Sequence, residues 1–214
     1  MQLLIATYNE GKVQEVREAL TSLPLTLRTL DDFPNIQPVN ETADSYYGNA
    51  VLKAVGYASQ TGLMALADDS GLEVDALDGK PGVFSARFGG EGASNADRVQ
   101  KLLRMLSTTP DESRTARFVC CLALAGVQQG LPVAGATNLQ VLTTFEEYCA
   151  GSIGHVASGH NGFGYDPIFV PLGYNQTFGE LPNEVKNTIS HRGKALAAVR
   201  KFLITLASPV DRLR

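Results

Sequence analysis

The residues best suited to chemistry are two adjacent acids, Asp68 and Asp69, followed by Ser70 and Gly71. They come directly after the apolar run 62–67, which predicts a buried strand that ends at the acids. Open α/β sheets bind ligands at the carboxyl ends of their strands. Paired carboxylates beside a hydroxyl group suit Mg²⁺, a hard cation that shares oxygen ligands with phosphates. The alternative is a solvated turn with a helix cap.

A polar segment at residues 7–12 lies between a predicted strand at 3–6 and a helix that begins near Val13. The first N–H groups of a helix are unpaired and its dipole favours anions, so such a segment predicts a phosphate-binding turn.

The spacing of Gly11 and Lys12 approaches that of a Walker A loop. However, Ala6 replaces the first glycine, and Val13 replaces the Ser or Thr that holds Mg²⁺. A P-loop nucleoside triphosphatase is therefore excluded. An ordinary helix start, with Asn9 as the cap and a solvated lysine, stays open as an alternative.

A third group of candidate residues lies towards the C-terminus. Three glycines surround Phe163 within residues 159–167, which favours close approach of the backbone to a ligand and stacking by the ring. The alternative is a tight turn with a buried ring. Ser190 suits the N-cap of a final helix and would place His191 and Arg192 in its first turn. Cations there oppose the helix dipole, which hints at a functional role.

Hydrophobic periodicity predicts the elements that must position these residues. Strands are expected at 25–30, 72–77, 116–125 and 168–170, and helices at 45–60, 95–106 and after Ser190. A turn at 128–130 would pair the strand 116–125 with residues 133–137, so the sheet should be mixed. Pro209 should end the final helix, Lys53 is by default a surface lysine, and residues 138–158 have no assignment.

The chain has 214 residues, of which 44% are hydrophobic and 19% charged, as in an ordinary folded protein. A net charge of −4 gives no global attraction to nucleic acid or to an anionic membrane. The sequence lacks a basic secretory leader and an apolar run of membrane-spanning length. Three cysteines do not make a disulfide framework, so reduced core thiols and a cytoplasmic location are expected.

Seven short motifs follow one another along nearly the whole chain. They are Thr7-x-Asn9-x-x-Lys12, Glu41-Thr42, Asn49-Ala50-x-x-Lys53-Ala54, Ala67-Asp68-Asp69-Ser70-Gly71, Pro81-Gly82-Val83-x-Ser85-Ala86-Arg87, Gly162-Phe163-Gly164-Tyr165-Asp166-Pro167 and Ser190-His191-Arg192-Gly193. In this order they resemble the inosine/xanthosine triphosphate pyrophosphatases, the Ham1/RdgB-like family.

The resemblance implies one α/β domain over residues 1–214, with two lobes, a long central mixed β-sheet, flanking helices and a nucleotide cleft between the lobes. It implies a cytoplasmic homodimer that uses Mg²⁺ and binds neither nucleic acid nor membrane. The implied reaction is hydrolysis of ITP, dITP and XTP to the monophosphate and pyrophosphate.

The resemblance also implies a role for each matching residue. Asp69 would be the general base, and Glu41 with Asp69 would form the metal site. The phosphates would be held by Thr7, Tyr8, Asn9, Glu10, Gly11, Lys12, Lys53 and Ser70. The base and sugar would be held by Phe163, Gly164, Tyr165, Asp166, Lys186, His191 and Arg192.

Two features depart from the family pattern. Gly48 stands where an acid usually precedes Asn-Ala, which predicts that one carboxylate near the metal is missing. The segment 135–162 is longer than in the family pattern and matches it less well, so the resemblance does not predict the cleft rim or the dimer surface.

Two alternatives to a pyrophosphatase stay open. A phosphohydrolase that releases orthophosphate through an aspartyl intermediate would usually carry Asp-x-Asp after a strand, whereas the acids here are adjacent. A purine nucleotide-binding module without catalysis would bind without turnover, and Gly48 is the feature that keeps it open.

Overall fold

The computed structural model describes residues 1–127 and 139–207. Its core is one six-stranded sheet with the strand order β2-β1-β3-β4-β5-β6. The strands are β1 (Gln2–Ile5), β2 (Thr26–Thr29), β3 (Met64–Val74), β4 (Thr115–Val127), β5 (Leu139–Ile153) and β6 (Phe169–Pro171). The pairs β1–β2 and β1–β3 are parallel, and the pairs from β3 through β6 are antiparallel. The prediction of a mixed sheet is thereby confirmed.

Within the described residues, five α-helices flank this sheet. They are α1 (Glu10–Leu20), α2 (Tyr46–Thr61), α3 (Asn95–Met105), α4 (Asn183–Ile189) and α5 (His191–Ala207). The starts of α1 and α3 follow from side-chain caps, since Asn9 accepts from the backbone N–H of Lys12 and Ser94 forms a capping box with Asp97. Ser190 accepts from the N–H of Gly193, so the predicted cap of the final helix is confirmed.

Three hydrophobic clusters divide the molecule into two lobes. In the first lobe, α2 packs on one face of the sheet, while α1 and α5 pack on the other. In the second lobe, α3 and β6 pack with the far ends of β3, β4 and β5. The three long strands β3, β4 and β5 contribute to the clusters of both lobes. The assignment of the whole chain to one domain stays a prediction.

The central prediction about β3 was wrong in one respect. The strand does not end at the acids but continues to Val74, so the separately predicted strand at 72–77 is largely the second half of β3. Backbone pairing explains the difference. Asp69 and Ser70 pair with Cys121 and Cys120 of β4, so the sheet keeps the polar residues in extended conformation.

Two elements were missed and two predictions cannot be compared. No element was predicted for residues 138–158, most of which form β5, and no helix was predicted at Asn183–Ile189. The predicted turn at 128–130 with its partner strand 133–137, and the helix end at Pro209, lie outside the described residues.

The three cysteines are buried and free of disulfides, which confirms the prediction of reduced core thiols. Among the described residues, none of the helices combines the length and hydropathy needed to cross a bilayer.

Candidate active site

The candidate site forms where β3 outruns β1. The parallel pairing of β1 with β3 stops at Ile5 and Leu66, and one further backbone bond runs from the N–H of Ala6 to the carbonyl of Leu66. Beyond that point β3 continues without β1 at its side. The polar residues that follow Ala67 therefore lie beside an open cleft, directly after the carboxyl end of β1.

The adjacent acids of β3 belong to opposite faces of the sheet, because successive side chains of a strand alternate. Asp69 faces α2, where Lys53 Nζ lies 3.0 Å from its Oδ1. Asp68 faces α1 and α5, where it pairs with Lys12 and Arg192. The two carboxylates therefore do not form one metal-binding pair, so the expectation that the adjacent acids together suit Mg²⁺ was wrong. The assignment of Asp69 with Glu41 to the metal stays a prediction.

On the α2 face, Lys53 joins two carboxylates. Its Nζ lies 3.0 Å from Oδ1 of Asp69 and 3.2 Å from Oε1 of Glu41. The side chain is buried, so the default prediction of a surface lysine was wrong. Burial acts to lower the pKa of Lys53, but the carboxylates of Asp69 and Glu41 outweigh it and raise the pKa. Burial also raises the pKa of Asp69, and Lys53 offsets this only in part.

Asn49 fixes the position of Asp69 from the same helix. Its Nδ2 donates to Oδ2 of Asp69 at 3.3 Å, and its Oδ1 accepts from the backbone N–H of Ala43 at 3.0 Å. The residue thus ties the carboxylate to the segment that carries Glu41. Asn49 belongs to a family motif, but the sequence did not indicate this positioning role.

Gly48 shapes that same segment. A Cβ atom at position 48 would lie 2.5 Å from Cβ of Ala43 and 3.1 Å from Oγ of Ser45. An acidic side chain would therefore force the 43–45 segment away from α2. The glycine permits the close packing that holds Glu41 near Lys53, and the expected effect of the missing acid on the metal stays a prediction.

On the opposite face, Asp68 is almost fully buried and holds two cations. Nε of Arg192 donates to its Oδ2 at 2.6 Å, and Nζ of Lys12 pairs with its Oδ1. Burial acts to raise the pKa of Asp68, but Arg192 and Lys12 hold it well below its usual value. Ser70 joins this network, since its hydroxyl donates to Asp68 and accepts from Nη2 of Arg192 at 2.8 Å.

Glu15 extends the ionic network towards the residues predicted to bind the purine base. It accepts from Nη1 of Arg192 at 2.7 Å and from Nζ of Lys186 at 2.8 Å. Lys186 in turn donates to Asp166 at 2.6 Å. Burial acts to raise the pKa of Glu15, and the two cations more than reverse it. The sequence offered one signal for Glu15, its position one helical turn after Lys12.

Phe163 lies over this ionic network, and its role in stacking on a base stays a prediction. Its ring centroid is 5.0 Å from Nζ of Lys186 and 5.4 Å from Cζ of Arg192. The ring also packs so closely on Gly11 that a Cβ atom there would collide with it. Gly11 therefore supports the ring, and neither it nor Glu10 lines the cavity described below.

His191 is buried in the first turn of α5 and stacks on Phe118, with ring centroids 4.7 Å apart and planes 7° apart. Its Nδ1 has no hydrogen-bond partner among the described residues. Burial, then the charge of Arg192, holds its pKa well below the usual value. His191 is therefore neutral at physiological pH. The charge of Arg192 in the same turn is balanced by Asp68 and Glu15.

Many of these groups line a cavity of about 310 Å³, within the range of small-molecule sites. Most of the site residues expected from the sequence line it. They are Thr7, Tyr8, Asn9, Lys12, Glu41, Lys53, Asp69, Ser70, Phe163, Gly164, Tyr165, Asp166, Lys186, His191 and Arg192. The cavity thus brings together residues that lie up to 186 positions apart, from Ala6 to Arg192.

The donor set of Glu41 and Asp69 fits a hard divalent cation. Both carboxylates line the cavity, and one oxygen atom of each lies within 3.2 Å of Nζ of Lys53. Mg²⁺ is commonly bound by one or two carboxylates and completes its shell with water and substrate phosphates. Within residues 1–127 and 139–207, no cluster of three or more His, Cys, Asp or Glu side chains is placed to hold a metal.

The sequence is similar to one protein family along nearly its whole length. The sequence profile of the Ham1 family matches residues 3–202. The chain belongs to the Ham1 family. A relative from Geobacter sulfurreducens, named dITP/XTP pyrophosphatase, is 46% identical over 202 residues, which are 94% of this chain and 96% of the relative. A Bacillus cereus protein of the same name is 44% identical and covers 91% of each chain.

Solved Ham1-family structures share the fold. A HAM1 protein from Coxiella burnetii superimposes with a TM-score of 0.82 at 38% identity, covering 96% of this chain and 99% of that one. The Staphylococcus aureus Ham1 protein gives a TM-score of 0.80 at 33% identity, with 96% and 100% covered. The predicted α/β architecture with a long mixed sheet is thereby confirmed.

Proposed function

We propose that this Ham1-family chain hydrolyses the non-standard purine nucleotides ITP, dITP and XTP to the monophosphate and pyrophosphate. The observation that carries the proposal is a single cavity in which Asp69, Glu41 and Lys53 lie on one side and a Phe163–Arg192 network on the other. The names of the relatives in Geobacter sulfurreducens and Bacillus cereus support the same substrate class.

The phosphate chain would bind at the loop after β1 and at Lys12, Lys53 and Ser70. Hydrolysis at phosphorus depends mainly on positioning and charge neutralisation, which lysines and hydroxyl groups of this kind supply. Asp69 would accept the proton of the attacking water. Burial raises the pKa of Asp69, which makes it a stronger base than an exposed aspartate.

Mg²⁺ is the proposed cofactor, held by Glu41 and Asp69 with the phosphates. When bound it would neutralise phosphate charge and lower the pKa of a coordinated water. Lys53, which now bridges the two acids, would be free to turn from Glu41 to a phosphate oxygen.

The purine would stack on Phe163, with Lys186, His191 and Arg192 around its edge. Arginine is a donor only and neutral His191 can donate from one ring nitrogen. Inosine and xanthine carry an acceptor oxygen at position 6, whereas adenine carries a donor there. The site would therefore favour the keto purines over ATP.

We further propose a homodimer in the cytoplasm that acts on nucleotides alone, without nucleic acid or membrane partners. The three buried free thiols agree with a reducing compartment. Light scattering of the purified protein would give the molar mass directly, and a mass of one chain would contradict the dimer.

The deciding experiment is product analysis after incubation with ITP and Mg²⁺ in ¹⁸O-labelled water. We expect IMP and pyrophosphate, with the label in one of them, and loss of turnover when the metal is chelated. IDP with orthophosphate would favour the phosphohydrolase instead. Tight binding of ITP without products would favour a nucleotide-binding module.

A further inference from the structure

One wall of the cavity is formed by residues 82–98 and contains none of the residues proposed above to bind phosphate, metal or purine. It consists of the 3₁₀ segment Gly82–Arg87 and the start of α3. Two arginines of this wall, Arg87 and Arg98, line the cavity. Neither forms an ion pair with a carboxylate among the described residues, in contrast to the other cations of the cavity.

The charges of the other site residues show why two arginines without carboxylate partners matter. The paired cations are Lys12, Lys53, Lys186 and Arg192, and the carboxylates that pair with them are Glu15, Glu41, Asp68, Asp69 and Asp166. Five acids against four cations leave one excess negative charge. A nucleoside triphosphate carries several further negative charges, of which one Mg²⁺ would offset two, so unpaired cations of the protein would favour its binding.

Arg98 is preorganised to supply such charge. Nη1 donates to Oδ1 of Asn95 at 2.6 Å and Nη2 donates to the carbonyl of Ala93 at 2.8 Å. Both acceptors are uncharged, so they hold the guanidinium in place without neutralising it. Its Nε is shielded from solvent and has no acceptor among the described residues. A buried unpaired donor is costly, and a phosphate oxygen would remove that cost.

The wall lies next to the proposed reaction centre along β3. Oγ of Ser85 accepts from the backbone N–H of Leu72 at 2.9 Å, three residues after Asp69. A Cβ atom on Gly71 would collide with this segment, at 2.6 Å from Oγ of Ser85. The glycine thus lets the segment that ends in Arg87 pack directly on the strand that carries Asp69.

We propose that Arg87 and Arg98 form a second anion subsite that binds the terminal phosphates of the substrate and the pyrophosphate product. The inference rests on the proposed function for its substrate, and it adds residues that the phosphate-binding turn at 7–12 does not include. Guanidinium groups suit this task because they bind phosphate oxygens through two parallel N–H donors. Arg87 is solvent-exposed and would act from the mouth of the cavity.

The test measures binding of inorganic tripolyphosphate and of IMP by calorimetry, with Mg²⁺ present, to the full chain and to Arg87→Gln and Arg98→Gln. We expect each variant to bind tripolyphosphate about tenfold more weakly, as for the loss of one charge-assisted hydrogen bond. Affinity for IMP should stay as in the unchanged protein. Arg104→Gln is the matched control, because Arg104 is an exposed arginine of α3 that does not line the cavity.

Unchanged tripolyphosphate binding in Arg98→Gln, or an equal loss of IMP affinity, would overturn the subsite. So would failure of the unchanged protein to bind tripolyphosphate. Thermal unfolding of each variant checks that the fold is retained, and Arg98→Lys should recover part of the affinity. If the unchanged protein binds tripolyphosphate through these arginines but makes no IMP from ITP, the proposed function fails while the subsite stands.

Discussion

Nζ of Lys53 lies 3.0 Å from Oδ1 of Asp69, so the proposed general base forms an ion pair with a lysine of α2. The same ammonium group lies 3.2 Å from Oε1 of Glu41. The two carboxylates proposed to bind a metal ion together therefore already bind one ammonium group together. Exchange of Lys53 for a metal ion at this point would leave the carboxylates in place and release the lysine towards the phosphates.

Replacement of Asp69 by Asn should remove turnover and leave nucleotide binding largely intact. Loss of a general base costs about 10²–10⁴-fold in rate, while Lys12, Lys53 and the Phe163 loop remain to bind the substrate. Turnover of ITP and its dissociation constant are measured side by side, with Asp31→Asn on the surface as the control. Near-normal turnover in Asp69→Asn would exclude Asp69 from the mechanism.

Replacement of Lys53 by Gln should move the acid limb of the pH profile to higher pH. Burial raises the pKa of Asp69, and Lys53 is the neighbour that most opposes this rise. Removal of Lys53 therefore raises that pKa further, and the base is protonated at a higher pH. The measurement is the pH dependence of kcat/KM for ITP in both proteins. A limb that stays in place, or moves to lower pH, would contradict the assignment.

Replacement of Asp68 by Asn should destabilise the fold rather than only impair chemistry. The change leaves Arg192 and Lys12 without their common buried partner, and breaking a buried pair costs about 3–5 kcal/mol. The pKa of Asp68 is well below 3.8 in the folded protein. Its contribution is therefore complete above pH 3.8 and is lost as the pH falls through the lowered folded value.

Chemical denaturation at pH 7 and at successively lower pH values measures this effect. The difference in unfolding free energy between Asp68→Asn and the unchanged protein should be largest at neutral pH and shrink in acid. Asp31→Asn, which removes an exposed carboxylate, should differ little from the unchanged protein. Equal stabilities at pH 7 would refute the role of Asp68 as the centre of the network.

Replacement of Arg192 by Ala should reduce discrimination between ITP and ATP. Three N–H bonds of Arg192 bind Asp68, Glu15 and Ser70, which leaves two of the five guanidinium donors for the purine. A donor that faces the amino group of adenine is left unpaired, at a cost of ~1–3 kcal/mol. Without Arg192 this penalty against ATP is lost.

The measured quantity is the ratio of kcat/KM for ITP over ATP, which does not depend on the folded fraction. Phe163→Leu is the matched comparison, because stacking is common to all bases and its loss should lower both values together. An unchanged ratio in Arg192→Ala would move recognition of the base elsewhere, most simply to the backbone of residues 162–166.

Replacement of His191 by Phe should flatten the pH dependence of stability between pH 7 and pH 5. Burial and the nearby Arg192, Lys186 and Lys12 hold the pKa of His191 well below 6.5, against the opposite effect of Asp68. Below pH 6.5 the unfolded chain therefore binds a proton that the folded protein does not, and stability is lost as the pH falls. One such proton corresponds to about 1.4 kcal/mol per pH unit.

Chemical denaturation across this range, with His160→Gln at an exposed histidine as the control, tests the prediction. A phenylalanine would keep the stack on Phe118 and remove the titrating ring, so only the slope should change. Equal slopes in His191→Phe and the unchanged protein would mean that His191 is charged in the folded state.

The sequence by itself determined the class of fold and most of the candidate site. Apolar runs and capping residues such as Ser94 and Ser190 are local signals, so they predicted the helices and the mixed sheet. The ordered motifs from Thr7 to Arg192 indicated the family, and all but two of the expected site residues line one cavity. The helix Asn183–Ile189 was not predicted, because seven residues are too few for a clear 3.6-residue period.

Only the tertiary structure decided which residues work together. Asp68 and Asp69 are neighbours in sequence but face opposite sides of β3, because the strand does not end at them. Glu15 and Lys186 are 171 positions apart, yet their side chains pair at 2.8 Å. Such contacts depend on how α1, α4 and α5 pack against the sheet, and local periodicity carries no information about partners that distant in the chain.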